Sequence, residues 1–193
     1  EKLKVGPYTA GNDVDYGPVV TKAAKENILR LITSGVDQGA TLVTDGRNFS
    51  LQGYEDGFFV GPTLFDNVTT DMDIYRQEIF GPVLSTVRAK SYEEAVGYAM
   101  DHEYGNGTAI FTRDGDTARD FASRINVGMV GINVPIPVPL AYHTFGGWKK
   151  SGFGDLNQHG ADGFRFYTRT KTVTSRWPSG IKEGASLNFK QMD

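Results

Sequence analysis

Glu78 and Phe80 stand two residues apart in the stretch Gln77-Glu78-Ile79-Phe80-Gly81-Pro82-Val83. A carboxylate accepts two hydroxyl hydrogen bonds at once, which suits a ribose diol. A ring beside it offers a flat apolar wall for a heteroaromatic base. In an extended segment the two side chains point to the same side, because side-chain direction repeats every two residues. On this reading the pair is a ribose-and-ring site. The alternative is a strand approach in which Phe80 is core and Glu78 a solvated charge, in line with ordinary burial preferences. Spacing alone leaves both open.

Other chemistry-bearing residues are less suggestive. His102, His143 and His159 are scattered without metal-ligand spacing, so they read as surface or satisfied polar residues and no metal is expected. Asp114-Gly115-Asp116 lacks the glycine and the twelfth-position glutamate of an EF-hand loop. Phe145-Gly146-Gly147-Trp148-Lys149 misses the spacing of a phosphate-binding loop. Asn48-Phe49-Ser50 and Asn67-Val68-Thr69 match the glycosylation sequon, a pattern common by chance. With no cysteine, the 193 residues hold no disulfide, thiolate metal site or cysteine nucleophile. No catalytic residue is assigned among them.

The elements that must carry these residues read as follows. Residues 1–20 are loop, with turn chemistry at Gly6-Pro7, Gly11-Asn12 and Gly17-Pro18. Thr21 caps a helix to about Val36, with Ala24, Ile28, Leu31, Ile32 and Val36 at helical spacing and Gly35 or Gly39 as stops. Strands are expected at Thr41–Thr44, Phe58–Val60, Thr63–Phe65, Val83–Val87, Thr108–Thr112 and Val127–Ile132. Ser91-Tyr92-Glu93-Glu94 is a capping box opening a helix to about Met100, and residues 114–125 form another. Strand and helix alternating over residues 83–132 predict an α/β layer with parallel strands. The run Val134-Pro135-Ile136-Pro137-Val138-Pro139 is a stiff loop, at the strand ends where α/β folds place their sites. A helix is expected near 155–164. The β-prone run Phe166–Trp177 has no later strand to pair with, so it needs a partner, which another subunit could supply. Residues 178–193 read as a tail.

Composition sets the remaining bounds. The 193 residues, 39% hydrophobic and 22% charged, suffice for one substantial core. A net charge of −3 gives no reason to expect nucleic acid or an anionic membrane surface as a partner. No apolar run approaches the roughly 20 residues that span a bilayer, and Glu1–Val5 lacks secretory-signal features. A soluble, cytoplasmic protein is expected.

Glu78-Ile79-Phe80-Gly81-Pro82-Val83 resembles a signature of the aldehyde dehydrogenases. The resemblance implies that Glu78 holds the nicotinamide ribose of NAD and that Phe80 packs near the nicotinamide. Gln77 stands where that family often has a second acid. Phe145-Gly146-Gly147-Trp148-Lys149 with Ser151-Gly152 resembles the family's F-G-G-x-K-x-S-G motif, which implies Phe145 beside the aldehyde pocket. The other reading of Phe145 is simply core. Phe166–Thr174 resembles the family's C-terminal oligomerisation strand, implying a homo-oligomer, a homotetramer, joined through residues 166–177.

Three stretches, Tyr104–Thr112, Gly131–Pro139 and Phe166–Trp177, resemble the CoA-acylating methylmalonate semialdehyde dehydrogenases. This implies a cysteine thiolate attacking a semialdehyde, hydride passing to NAD, loss of carbon dioxide and acyl transfer to CoA as co-substrate. The products would be propionyl-CoA or acetyl-CoA. It also implies the C-terminal part of such an enzyme, with the nucleophile upstream and the chain by itself inactive. The expected organisation is an α/β, aldehyde dehydrogenase-like catalytic portion over residues 1–152, a helix and oligomerisation strand over 153–177, and a tail over 178–193. Two alternatives stand beside it: a cysteine-free, non-catalytic assembly module, or part of a non-acylating aldehyde dehydrogenase releasing a free acid.

Overall fold

A computed structural model describes residues 3–177. They fall into two units, one of residues 3–103 and 113–126, the other of residues 104–112 and 127–177. The tail expected at 178–193 lies outside the described residues.

In the first unit, helix α1 (Lys22–Asp37) starts where expected, with the Thr21 hydroxyl accepting the Ala24 N–H at 3.1 Å. Ile28, Leu31, Ile32 and Gly35, at i, i+3, i+4 and i+7, form its buried face. The helix ends at Gly39, whose φ of +95° allows its N–H to reach Val36 O and the Ala40 N–H to reach Gly35 O, each at 3.0 Å. Gly35 is no stop. A Cβ there would stand 2.8 Å from Cδ1 of Ile74 and 3.1 Å from Cζ of Phe65, so it is the point of closest helix approach.

Strands β1 (Thr41–Thr44), β2 (Thr63–Asp66) and β3 (Val83–Ser85) form one sheet in that order, with β1 antiparallel and β3 parallel to β2. Helix α2 (Asp73–Arg76) is a single turn between β2 and β3. Ile28, Leu31, Ile32, Phe65, Met72 and Ile74 make the centre of the core, each large side chain contributing about 1.5–3 kcal/mol by burial. Phe58–Val60 is not a strand. The Phe58 carbonyl accepts the Val19 N–H at 2.9 Å while Phe59 and Val60 are buried, so this apolar run covers the core and joins no ladder. β3 is shorter than the expected Val83–Val87, although the Thr86 N–H still reaches Phe65 O at 2.9 Å.

Helices α3 (Tyr92–Asp101) and α4 (Gly115–Arg124) complete this unit. The Ser91 hydroxyl accepts the Glu94 N–H at 3.2 Å, and the Glu94 carboxylate reaches back to the Lys90 N–H, a capping box displaced by one residue. Asp114 caps α4 by accepting the Thr117 N–H at 2.6 Å, which accounts for Asp114-Gly115-Asp116. Arg124 braces the two helices, donating to both Glu93 carboxylate oxygens at 2.9 and 2.6 Å and to Asp120 at 3.0 Å. The Tyr92 hydroxyl donates to the same Asp120 oxygen at 2.8 Å.

The second unit holds β4 (Tyr104–Gly105), β5 (Gly107–Ile110), β6 (Met129–Ile132), β7 (Trp148–Lys149) and helix α5 (Asp162–Tyr167). β5 and β6 pair parallel, Gly107 with Met129 through Ile110 with Ile132; β4 and β7 pair antiparallel, Tyr104 with Lys149. The parallel pairs β2–β3 and β5–β6 fit the expected α/β class, and the antiparallel pairs make the content mixed. The helix expected near 155–164 begins later, because Gly154 and Gly160 take φ of +73° and +68° and interrupt it. It then takes up Phe166 and Tyr167, the first residues of the run expected as a subunit-pairing strand; in this single chain residues 168–177 are in neither helix nor strand and all are exposed. Among the described residues no helix is long and apolar enough to cross a membrane.

Candidate functional site

The loop carrying Glu78 and Phe80 hangs between two fixed ends. On one side, α2 is tied to α1: the Ser34 hydroxyl donates to Asp73 at 2.8 Å, and the Asp73 N–H reaches the Gln38 side-chain oxygen at 2.8 Å. The Gln77 N–H closes α2 on Asp73 O at 2.8 Å. On the other side, the Val83 N–H reaches Gly81 O at 2.7 Å and the Thr63 N–H reaches Pro82 O at 2.9 Å, fastening the chain to the sheet. Between them Ile79 packs against the core.

Phe80 takes φ +52°, the left-handed region that a bulky residue rarely occupies. Backbone of that kind persists only where the surroundings over-determine it, and such residues cluster at functional sites. The segment is therefore not extended through Phe80, and the period-two argument for a shared side does not hold. The core alternative fails as well, since the Phe80 ring is 77% exposed. Glu78 is also exposed. One loop thus presents a free carboxylate and a free aromatic ring, as a ribose-and-ring site requires.

Directly after Phe80 the chain borders an apolar groove of about 650 Å³ lined by Tyr16, Pro62, Leu64, Pro82, Val83 and Leu84. The Tyr16 hydroxyl donates to Val60 O at 3.0 Å, and burial pushes its pKa up, so it stays a neutral donor.

Phe145 belongs to the second unit. It is half-buried, its ring 4.2 Å from that of His159 with 32° between the planes, so it is neither core nor free. The glycines around it are required by close backbone passage: a Cβ on Gly128 would lie 2.1 Å from Gly146 O, and one on Gly146 would overlap the Asn157 side chain. The Ser151 hydroxyl accepts the Gly105 N–H at 3.1 Å, locking the loop onto β4. His102 packs edge-on to Tyr75 at 5.4 Å and His143 lies beside Tyr142. Among the described residues no three acidic, histidine or cysteine side chains gather as a metal site would require.

Sequence reasoning passed over Asn133. Its φ is +58°, and its amide pairs with the backbone of Thr112, accepting the N–H at 2.9 Å and donating to the C=O at 3.0 Å. It thereby joins the ends of β5 and β6 where the proline loop departs. The usable signal was its type and place, an asparagine between an apolar strand and a stiff loop, since asparagine tolerates left-handed backbone.

The sequence pattern of the aldehyde dehydrogenase family matches residues 1–173. The chain is 58% identical over 184 residues to the malonate-semialdehyde dehydrogenase of Pseudomonas aeruginosa, spanning 95% of this chain and 37% of that protein. It is 51% identical over 196 residues to the acylating mitochondrial methylmalonate-semialdehyde dehydrogenase of Arabidopsis thaliana, spanning 99% of this chain and 32% of that protein. A crystal structure from Sinorhizobium meliloti, described as a methylmalonate-semialdehyde dehydrogenase complexed with NAD, superposes with a TM-score of 0.89 at 70% identity, over 94% of this chain and 37% of that one. The chain thus spans about a third of the length of the proteins it matches.

Proposed function

Because the chain belongs to the aldehyde dehydrogenase family, we propose that it serves an NAD-dependent, CoA-acylating malonate or methylmalonate semialdehyde dehydrogenase. Its share is the nicotinamide-ribose end of the cofactor site, one wall of the semialdehyde pocket, and assembly into a homo-oligomer. The observation that carries the cofactor role is the presentation of Phe80, a ring left 77% exposed on left-handed backbone between two fastened ends. Core packing does not call for that arrangement; a planar ligand does.

The residues fit NAD. Glu78 is an exposed carboxylate free to accept both hydroxyls of a ribose, and Phe80 offers one face to the ring beyond it. NAD bound there supplies the hydride acceptor of the oxidation. Phe145, held by His159, contributes an apolar wall on the substrate side. The acylating character is supported by the likeness to the acylating Arabidopsis enzyme, and CoA is the acyl acceptor that the sequence resemblance implies. The nucleophile comes from residues other than these 193, which contain no cysteine. Assembly runs through residues 166–177, which are exposed, with 168–177 in neither helix nor strand.

The test is Glu78→Gln in the intact enzyme that contains these residues. A hydrogen bond to a charged group contributes about 1.5–3 kcal/mol, so NAD binding or hydride transfer should weaken by roughly tenfold or more. Unchanged constants for NAD overturn the cofactor role. In the same preparation turnover must require CoA, and light scattering must show an oligomer; release of free acid without CoA makes the enzyme hydrolytic, and a monomer removes the assembly role.

A further inference from the structure

Gly81 rests on Ile28. A Cβ at Gly81 would stand 2.6 Å from Cδ1, 3.0 Å from Cγ1 and 3.3 Å from Cγ2 of Ile28. Gly81 is not among the left-handed glycines, so lack of space, not backbone freedom, is what bars a side chain there. Ile28 is 1% exposed, on the α1 face that packs with Leu31, Ile32 and Phe65. A β-branched side chain in a helix has one strongly preferred rotamer, and close packing leaves it no room to turn aside. After Gly81 the chain is fastened to β2 through Pro82 and Thr86. Before it, Phe80 and Glu78 are exposed. Any displacement forced at Gly81 therefore passes upstream, first into exposed Phe80 and then, across the core-packed Ile79, toward Glu78.

We infer that Ile28 is a positioning residue for the cofactor loop, the floor that sets how far Glu78 and Phe80 stand out from the first unit. The inference rests on the cofactor role of those two residues. Raising the loop by Gly81→Ala and lowering the floor by Ile28→Ala should each misplace them, in opposite senses.

The measurement is the KM for NAD, against kcat and the thermal unfolding midpoint, in the intact enzyme with each single variant and the double. Gly81→Ala should raise the KM about tenfold, since an ångström of misplacement costs on the order of 10²-fold. Ile28→Ala should raise it about threefold, and the double variant should return to within about threefold of wild type, the non-additivity expected of residues in contact. The unfolding midpoint of the double variant should stay below wild type, because a core side chain is still missing. A purely structural role predicts that the KM tracks the unfolding midpoint across the four proteins, and that overturns the inference. So does an unchanged KM in Gly81→Ala, or a folded double variant that fails to recover. If Gly81→Ala does not fold, Ile28→Ala alone decides, by whether its KM rises while kcat holds. Glu78→Gln separates the two levels: if it shifts the NAD constants and Gly81→Ala does not, only the role of Ile28 falls.

Discussion

Asn133 joins two strand ends with one side chain. Its left-handed backbone and its paired amide are separable, and substitution can remove them one at a time. Asn133→Gly keeps the backbone and loses the hydrogen bonds, which at an exposed position contribute about 0.5–1.5 kcal/mol each. Asn133→Ala loses both and adds about 1–2 kcal/mol of left-handed strain. The alanine variant should therefore unfold at lower denaturant concentration than the glycine variant, and both below wild type. Equal midpoints for alanine and glycine would show that the backbone conformation carries no strain. At this scale the sequence told half the story. Type and spacing single out Glu78 and Phe80 as candidates, but a shared side needs an extended backbone that the φ of +52° at Phe80 does not provide. A left-handed aromatic leaves no mark in hydrophobic periodicity, because it is imposed by Ile79, Gly81 and Pro82 being held around it. Phe145 was legible as a candidate, while its support by His159 joins residues too distant in the chain for spacing to connect.

Among the elements, α3 and α4 illustrate how charge placement joins two helices. The Arg124 guanidinium holds the Glu93 carboxyl below the usual range, and the Tyr92 hydroxyl followed by Arg124 does the same for Asp120. When a folded-state pKa is depressed, the unfolded chain binds more protons at low pH, so stability rises with pH across that range. The contribution is complete above the ordinary values, 4.5 for glutamate and 3.8 for aspartate, and is lost as the pH falls below them. For these groups the unfolding midpoint should be flat above about pH 5 and decline beneath it. Arg124→Met should make that decline shallower; an identical acid limb would show that the brace contributes nothing. The starts of α1 and α3 are legible, since Thr21 and Ser91 cap where their sequence predicts, and α4 begins one residue after the expected 114, with Asp114 as its cap. The strands were less so. Phe58–Val60 has strand composition without a ladder, because an apolar run records burial and not pairing. The last helix lay later than expected because Gly154 and Gly160 break its first half.

For the molecule as a whole, class and family were readable and the extent of pairing was not. Val173 and Trp177 are largely exposed, as are Phe153, Phe164 and Tyr167, so much apolar surface lies outside the cores of the two units. The two units also differ in how far apart along the chain their partners lie. In the first, α1 leads directly into β1, and β2 and β3 are near neighbours. In the second, Tyr104 must find Lys149, and Gly105 must find Trp148. Closing a long segment of chain costs entropy before any contact repays it, so distant pairings form slowly. As the chain leaves the ribosome, β4 waits unpaired until β7 has been made. Amide exchange should be faster at Gly105 and Trp148 than at Leu31 and Phe65, and the reverse order would refute this sequence of events. The loop bearing Glu78 and Phe80 can thus take shape once β3 has been made, whereas the stretch around Phe145 must wait for Trp148 and Lys149 to close β7 on β4.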